Sequence, residues 1–221
     1  IDARTHHIYG AEALLRWQHP SRGLLQPDSF LPLANEIGLI TPLGQWVLEQ
    51  ACRDAAQWTV PLKVAVNLAA SQLNGLLHQR VMQALEKTGL PASRLELEVT
   101  EKALFSHIEA ATPSLLQLKA AGVTIVMDDF GTGYSSLGYL RAFPFDKVKI
   151  DKSYVHDLVT DSNAGAVINA VTVLSNQLGI TTTIEGVETA MQLQLISGQP
   201  GGEGQGFLFG HPCGNEQVDA V

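Results

Sequence analysis

Two acidic residues, Asp128 and Asp129, stand side by side at the end of the apolar run 123–127. Adjacent carboxylates at the end of a buried strand repel each other and lose hydration, so a cation usually holds such a pair, or one member is protonated. The sequence therefore predicts a functional site within residues 126–151. The rest of this segment supplies two loop glycines and two charged residues on a second short strand, namely Gly131, Gly133, Lys149 and Asp151.

Oxygen ligands recur at the ends of other short apolar segments. The set comprises Glu12, Asn67, Glu98, Asp128, Asp129 and Glu185. It contains no clustered Cys or His, and hard cations such as Mg²⁺ or Mn²⁺ prefer oxygen-only sites of this kind. Five carboxylates exceed the needs of one divalent ion, whereas two ions bridged by Asp128 would use them. Sites with two metals about 3.5–4 Å apart suit in-line displacement at phosphorus.

Two basic residues fit the same chemistry. Lys149 precedes Asp151 on the same predicted strand face, so it could orient or deprotonate an attacking water. Arg16 shares the predicted face of Glu12 and could contact a phosphate through two parallel hydrogen bonds. The net charge of −8 argues against non-specific binding to a polyanion, and bound metals would let an acidic pocket accept an anionic substrate. These residues predict metal-dependent phosphoester hydrolysis.

Short apolar strands alternate with helical patterns along the chain. We predict seven strands, beginning near residues 8, 63, 95, 123, 147, 181 and 205. This alternation implies βαβ units and a mostly parallel sheet, and polar residues end six strands, at Asn67, Glu98, Asp128, Lys149, Glu185 and Gln205. In a (β/α)₈ barrel such ends meet at one face, whereas a doubly wound sheet concentrates function at one switch point. The pattern favours the barrel, although a barrel needs an eighth strand.

Local signals give the remaining boundaries. The first strand is predicted over residues 7–17, followed by a turn at 19–23, and the last strand over residues 205–209. A helix is predicted over residues 113–121, ending at a glycine. A short helix is expected near residues 135–141, after the glycine loop.

The composition indicates one globular domain over residues 1–221, since 45% of the residues are apolar and 16% are charged. No apolar run approaches the roughly 18–20 residues that span a bilayer, so this domain is expected to make no membrane contact. Cys52 and Cys213 are too few for a disulfide framework and match no zinc motif, which suggests a reducing cytoplasm. The first residues show no signal peptide and read as the middle of a longer protein, which could itself be membrane-anchored.

The six residues from Glu12 to Trp17 resemble the signature that gives EAL domains, the cyclic di-GMP phosphodiesterases, their name. Glu12 alone is more often a solvated strand residue, and the glycine loop alone is more often a plain turn. The joint occurrence in the family's order covers essentially the whole chain and makes the resemblance specific. The further motifs are Val66-Asn67-Leu68, Glu98-Val99-Thr100-Glu101, Asp128-Asp129-Phe130-Gly131-Thr132-Gly133-Tyr134-Ser135-Ser136, Lys149-Ile150-Asp151, Glu185-Gly186-Val187-Glu188-Thr189 and Gln205-Gly206-Phe207.

The resemblance implies a modified TIM-like α/β barrel whose first strand is antiparallel, and the hydrolysis of cyclic di-GMP to linear pGpG. It implies two ions, Mg²⁺ or Mn²⁺, one held by Glu12, Asn67, Glu98 and Asp128 and the other by Asp128, Asp129 and Glu185. The catalytic residues would be Lys149, which assists the nucleophilic water, with Glu12 and Glu185. Substrate contacts are expected from Arg16, Leu14, Asp151 and Gln205, and support of the glycine loop from Glu101, Glu188, Gly131 and Gly133.

The resemblance also implies partners. Cyclic di-GMP would be the ligand, and the loop and helix after Asp129 would couple the site to a homodimer. Sensory or cyclase domains would regulate the full-length protein, and no nucleic-acid polymer is expected. The chain starts just after the place of the family's first strand and stops within its C-terminal helix. Two local departures, Ile184 before Glu185 and Pro200-Gly201-Gly202 before Glu203, touch no metal ligand.

Two other functions stay open from the sequence. A degenerate EAL domain would bind cyclic di-GMP as a sensor without cleaving it, but degenerate members typically lose ligands or the glycine loop, and both are complete here. A different metal-dependent barrel enzyme, such as a lyase or an isomerase, would share the fold without the chemistry. Tight binding without turnover would identify the sensor, and turnover of a substrate panel would identify the other enzyme.

Overall fold

The computed structural model describes residues 1–3, 5–132, 140, 143–158, 162–197 and 202–220. The strands in this part of the chain are β1 (Gly10–Ala13), β2 (Trp17–His19), β3 (Gly23–Leu25), β4 (Lys63–Asn67), β5 (Leu95–Thr100), β6 (Thr124–Phe130), β7 (Lys147–Ile150), β8 (Thr181–Ile184) and β9 (Gly202–Gly204). The α-helices are α1 (Leu31–Glu36), α2 (Ile40–Gln57), α3 (Leu77–Thr88), α4 (Glu101–Ala120), α5 (Lys152–Asp157), α6 (Ser162–Gln177) and α7 (Ala190–Ser197). Short 3₁₀ helices span Pro27–Ser29, Ala70–Gln72, Ala92–Arg94 and Asn215–Ala220.

Seven strands form one parallel sheet in the order β1-β4-β5-β6-β7-β8-β9, and β2 and β3 form a separate antiparallel hairpin. In a flat sheet with strands about 4.8 Å apart, the two edge strands would lie about 29 Å from each other. Glu12 on β1 nevertheless accepts a hydrogen bond of 2.6 Å from Gln205, which directly follows β9. The sheet is therefore curled into an incomplete barrel. The prediction of a parallel, barrel-like α/β fold with seven strands is confirmed.

Residues 1–3 run along β9 in the opposite direction to the sheet. Asp2 and Glu203 form an antiparallel bridge, the Ala3 N–H donates to the Gly202 carbonyl at 3.3 Å, and the Gly204 N–H donates to the Ile1 carbonyl at 2.8 Å. This short segment has the direction that the resemblance implies for the strand before β1.

The outer face of the sheet is apolar and packs under the helices. Strand residues point alternately to the two faces, and the outward set on β4 to β7 is almost fully buried: Val64, Val66, Leu95, Leu97, Val99, Ile125, Met127 and Val148. This set packs in one core with side chains of α2, α3 and α4, such as Leu48, Val81 and Leu115. Full burial of each such side chain contributes about 1.5–3 kcal/mol, so this face fixes the sheet against its helices.

The inner face carries a compensated layer of charge. The Lys147 ammonium lies 3.1 Å from Glu96 and 2.7 Å from Glu203, and the Lys63 ammonium lies 2.9 Å from Glu96. Burial raises the pKa of Glu96, but the charges of Lys147 and Lys63 outweigh it and the pKa is lowered. Two lysines therefore match two glutamates, and each of these side chains has an ionic partner.

Several predicted boundaries were wrong. The helix predicted from residue 113 is the second half of α4, which begins at Glu101 because the Thr100 side chain accepts a hydrogen bond from the Ala103 N–H and caps the helix. Pro113 lies inside this helix. The first strand is shorter than predicted, and the strands β2 and β3 after it were not predicted. The turn predicted at residues 19–23 is confirmed as the turn of this hairpin, at residues 20–22. The last strand ends one residue before its predicted start. Helix α5 was not predicted.

The expected short helix near residues 135–141 lies almost entirely outside the described residues. So does most of the segment that was predicted to mediate a homodimer. Across the part of the chain that is described, no helix combines the length and the apolar character that a membrane span requires.

Candidate metal centre at the carboxyl ends of the strands

The predicted site residues meet at one end of the curled sheet. Glu12, Asn67, Glu98, Asp128, Asp129 and Lys149 lie in β1, β4, β5, β6 and β7, while Glu185 and Gln205 directly follow β8 and β9. Because these strands are parallel, their carboxyl ends form one rim, which is where (β/α) barrels build their active sites. The Asn67 amide and the Gln205 amide donate hydrogen bonds to the two oxygens of Glu12, at 2.7 and 2.6 Å. These bonds fix the orientation of the Glu12 carboxylate.

A bulge in β6 aims two adjacent acids at one place. Neighbouring strand residues normally point to opposite faces, but the β6–β7 register shifts between Met127 and Phe130. Asp129 adopts the left-handed conformation, with φ of 54°, which costs a non-glycine residue about 1–3 kcal/mol. As a result, Asp128, Asp129 and Glu185 each offer a carboxylate oxygen, and these atoms lie within 4.8 Å of one another.

Lys149 lies at the centre of the other acids. Its ammonium nitrogen is 2.7 Å from Glu185, 3.0 Å from Glu98, 3.3 Å from Glu12 and 3.8 Å from Asp128. Burial lowers the pKa of Lys149, but the surrounding carboxylates, led by Glu98 and Glu12, outweigh burial and raise the pKa well above its ordinary value. The surrounding carboxylates therefore favour the ammonium form of Lys149.

One lysine does not compensate five carboxylates. Burial raises the pKa of Glu98 to about 8 and that of Glu185 to about 7, and Lys149 offsets only part of the effect. Burial and like-charged neighbours also raise the pKa values of Asp128 and Asp129. Glu12 is the exception. Burial alone would raise its pKa, but the charge of Lys149 and the two amide hydrogen bonds outweigh burial and lower it. The group therefore retains excess negative charge that a bound cation would stabilise.

The donor chemistry fits a hard divalent metal. Within the described residues, one group of three or more acidic, His or Cys side chains could hold a metal. It consists of Asp128, Asp129 and Glu185, whose ligand atoms lie within 4.8 Å of one another. All the donors are oxygens, as Mg²⁺ and Mn²⁺ prefer. Glu12 and Glu98 lie around the Lys149 ammonium, which Glu185 and Asp128 also contact.

The loop after Asp129 is anchored through Gly131. The Gly131 N–H donates to Glu101 Oε2 at 3.3 Å, so the structure brings together the two residues that the resemblance pairs. Glu101 is 2% exposed. The Tyr154 hydroxyl donates to the Gly131 carbonyl at 2.8 Å. Sequence reasoning missed Tyr154, whose position shortly after Asp151 was the available signal.

Several predicted site residues line a cavity of about 900 Å³. Its lining includes Glu12, Glu98, Lys149 and Gln205 together with two predicted substrate contacts, Leu14 and Arg16. Leu14 is 43% exposed, and Arg16 donates a hydrogen bond of 2.7 Å to the Leu15 carbonyl. Both residues therefore line the same cavity as Glu12 and Lys149.

Two predicted residues, Asp151 and Glu188, form no hydrogen bond or ion pair with the rim or the glycine loop in the part of the chain that the structure describes. The Asp151 carboxylate caps α5 by accepting a hydrogen bond of 3.0 Å from the Ser153 N–H. Glu188 is exposed, and its backbone N–H donates to the Gln192 side chain at 2.8 Å. Among the described residues the structure gives no contact between the Glu188 carboxylate and the glycine loop, and Gly133 lies outside the described residues.

The comparisons with known proteins identify the family of this chain. The family model of the EAL domain matches residues 1–212, and the chain therefore belongs to the EAL-domain family. It is 42% identical over 216 residues to the bifunctional diguanylate cyclase/cyclic di-GMP phosphodiesterase MucR of Pseudomonas aeruginosa, covering 96% of this chain and 32% of MucR. It is also 42% identical over 216 residues to the cyclic di-GMP phosphodiesterase NbdA of the same organism, covering 96% of this chain and 27% of NbdA.

A solved structure extends the similarity to the fold. The PaMucR phosphodiesterase in its c-di-GMP complex superposes with a TM-score of 0.89 at 42% identity, covering 95% of this chain and 87% of that one. The chain spans about a quarter to a third of the length of the curated relatives it matches.

Proposed function

We propose that this domain is a metal-dependent phosphodiesterase that hydrolyses cyclic di-GMP to linear pGpG. The observation that carries this proposal is a difference in charge balance between two layers of side chains inside the curled sheet. Lys63, Lys147 and their glutamate partners balance one another. At the rim, by contrast, four carboxylates share Lys149, and Asp129 adds a fifth negative group beside Asp128 and Glu185. The phosphodiesterase names of MucR and NbdA and the c-di-GMP complex of PaMucR support the choice of substrate.

Two Mg²⁺ or Mn²⁺ ions would occupy the rim. Asp128, Asp129 and Glu185 would hold one, and Glu12, Asn67, Glu98 and Asp128 would hold the other. When bound, such ions supply Lewis acidity toward a phosphoryl oxygen and a water that ionises near neutral pH. Asp128 would bridge the two ions.

The protein's own residues would bind and orient the substrate. Arg16 and Leu14 line the cavity. Arg16 would contact a phosphate of the substrate, and Leu14 would offer an apolar surface. The Lys149 ammonium can donate hydrogen bonds to a water or a phosphoryl oxygen at the rim, and it orients rather than deprotonates while its pKa is raised. Homodimer formation through the segment after Asp129, and control by further domains, stay predictions.

The first test is product formation. Cyclic di-GMP incubated with the protein and Mg²⁺ or Mn²⁺ is expected to yield pGpG, measured by chromatography. Glu12→Ala should lower turnover more than about a hundredfold, since even residues that only orient metal ligands contribute about 10–100-fold. Glu49→Ala is the control, because Glu49 pairs with Lys87 on the outside of α2. If the unaltered protein binds cyclic di-GMP tightly and forms no pGpG, the domain is a sensor instead.

Metal affinity is expected to rise with pH. Glu185 and Glu98 have pKa values of about 7 and about 8, and each must lose its proton to act as a ligand. The Kd for Mn²⁺ should therefore fall about tenfold between pH 6 and pH 8 from the titration of Glu185 alone. Calorimetric titration across this range measures the change, and a Kd independent of pH would contradict the assignment.

The stability of the metal-free protein should change in the opposite direction. The folded-state pKa values of Glu98 and Glu185 lie above their ordinary value of 4.5. Their contribution to stability is therefore complete below about pH 4.5 and is lost as the pH rises through 7 and 8. Added Mn²⁺ should restore the melting temperature most strongly at pH 8.

A further inference from the structure

The peptide groups of Gly131 are held from two directions. Glu101 at the start of α4 accepts from the N–H, and Tyr154 on α5 donates to the carbonyl at 2.8 Å. Tyr154 packs against the small apolar cluster that contains Ile150 and Val155. A side chain anchored in the next βα unit therefore reaches back to the backbone that follows Asp129.

The contact between Tyr154 and Gly131 is close as well as hydrogen-bonded. A Cβ atom on Gly131 would lie 2.7 Å from the Tyr154 hydroxyl oxygen and 2.8 Å from ring atom Cε2. Gly131 also has a φ of 96°, a conformation that glycine adopts without steric cost. The ring therefore fits against bare backbone, and its hydroxyl fixes where that backbone lies.

The residue that this contact restrains is Asp129. Asp129 has the strained φ of 54°, and such a conformation persists when the surrounding structure fixes it. Its carbonyl accepts hydrogen bonds from the Thr132 N–H at 3.3 Å and the Thr132 hydroxyl at 2.9 Å. The turn of residues 129–132 is thus closed on itself, and Gly131 is the point at which α4 and α5 hold it.

We propose that Tyr154 is a positioning residue of the metal centre. Through Gly131 it keeps Asp129 in the conformation that brings its carboxylate to Asp128 and Glu185. The inference rests on the proposed function in that it takes Asp129 as a metal ligand. The hydrogen bond from Tyr154 to Gly131 and metal binding would each stabilise the same conformation of the turn, so their coupling is reciprocal. Metal binding should therefore strengthen the hydrogen bond, and loss of the hydroxyl should weaken metal binding.

Tyr154→Phe tests this proposal because it removes the hydroxyl and keeps the ring. The Kd for Mn²⁺, measured from the electron paramagnetic resonance signal of free Mn²⁺, is expected to rise about fivefold, the factor for one neutral hydrogen bond. At saturating Mn²⁺, kcat should stay within about twofold of the unaltered protein, while the Mn²⁺ concentration for half-maximal activity rises with the Kd. Gly131→Ala, which displaces the ring, should raise the Kd further.

Thr112→Val is the matched control. The Thr112 hydroxyl also donates to a backbone carbonyl, that of Ile108 at 2.6 Å, but within α4 and away from the rim. This variant should lower the melting temperature without changing the Kd for Mn²⁺. An unchanged Kd in Tyr154→Phe, or an equal change in Thr112→Val, would overturn the proposal.

The binding measurement also separates this inference from the proposed function. If the unaltered protein binds Mn²⁺ and Tyr154→Phe weakens that binding, but no pGpG forms, then the proposed hydrolysis fails and the role of Tyr154 stands. If pGpG forms and the Kd of Tyr154→Phe is unchanged, the role of Tyr154 fails alone. Absence of Mn²⁺ binding by the unaltered protein would overturn both.

Discussion

Lys149→Met is expected to abolish most hydrolysis of cyclic di-GMP and to destabilise the metal-free domain by about 3–5 kcal/mol at pH 8, the cost of removing one partner from a buried ion pair. The lysine side chain is 2% exposed and lies within 4 Å of four carboxylates. Methionine preserves most of the volume and removes the charge. The carboxylates are then left without their shared cation, and the free energy of unfolding in urea should fall.

The pH dependence of this loss identifies its cause. Without Lys149 the pKa values of Glu98 and Glu185 rise further above their already raised values. An acid with a raised folded-state pKa loses its contribution to stability as the pH rises through that pKa. The difference between Lys149→Met and the unaltered protein should therefore be smallest near pH 5 and largest above pH 8. A difference independent of pH would show that packing, not charge, is responsible.

The same variant separates metal binding from hydrolysis. Lys149 and a divalent ion compete for the same carboxylates. At a pH above the raised pKa values of Glu98 and Glu185, Lys149→Met should therefore bind Mn²⁺ at least as tightly as the unaltered protein. Turnover should nevertheless fall by about 10²–10³, the cost typical of removing one preorganised hydrogen-bond donor from an active site. Lys87→Met serves as the control, because Lys87 forms its ion pair with Glu49 at the exposed surface and should change neither property.

The arrangement of the rim could be predicted from the sequence because it depends on two simple regularities. Strand residues alternate between faces, and parallel strands end together, so Asn67, Glu98 and Lys149 were expected at one place. The resemblance then paired Glu101 with the glycine loop, and the structure contains that contact. The first inference requires only sequence order and strand direction, whereas the second depends on the family resemblance.

The remaining features depend on backbone geometry that sequence order does not contain. Alternation predicts that Asp128 and Asp129 point apart, and the bulge that brings them together becomes evident only from the register of β6 against β7. Proline disfavours a helix interior, so Pro113 suggested a helix start, yet α4 continues through it. The hydrogen bond from Tyr154 to Gly131 joins residues from separate βα units and has no local signature.

Asp128→Asn is expected to remove metal binding and hydrolysis while leaving the metal-free domain equally stable or more stable. Burial raises the pKa of Asp128, and the charges of Glu12 and Asp151 raise it further. Ionised Asp128 therefore costs stability above its raised pKa, and a neutral amide avoids this cost. Asparagine Oδ1 can still accept the hydrogen bond of 2.9 Å that the Asp129 N–H donates, so the bulge keeps that support.

Asp146→Asn should show the reverse pattern. The Asp146 carboxylate pairs with Lys119 and accepts a hydrogen bond of 2.9 Å from the Ile125 N–H, so its replacement should lower the free energy of unfolding by about 1.5–3 kcal/mol, the range for hydrogen bonds to a charged group. Its affinity for Mn²⁺ should be unchanged. For both variants, urea unfolding without metal measures the free energy of unfolding, and titration with Mn²⁺ measures the affinity for the metal. A residue whose charge costs stability and is still required for metal binding serves function rather than folding, and a large loss of stability in Asp128→Asn would contradict that role.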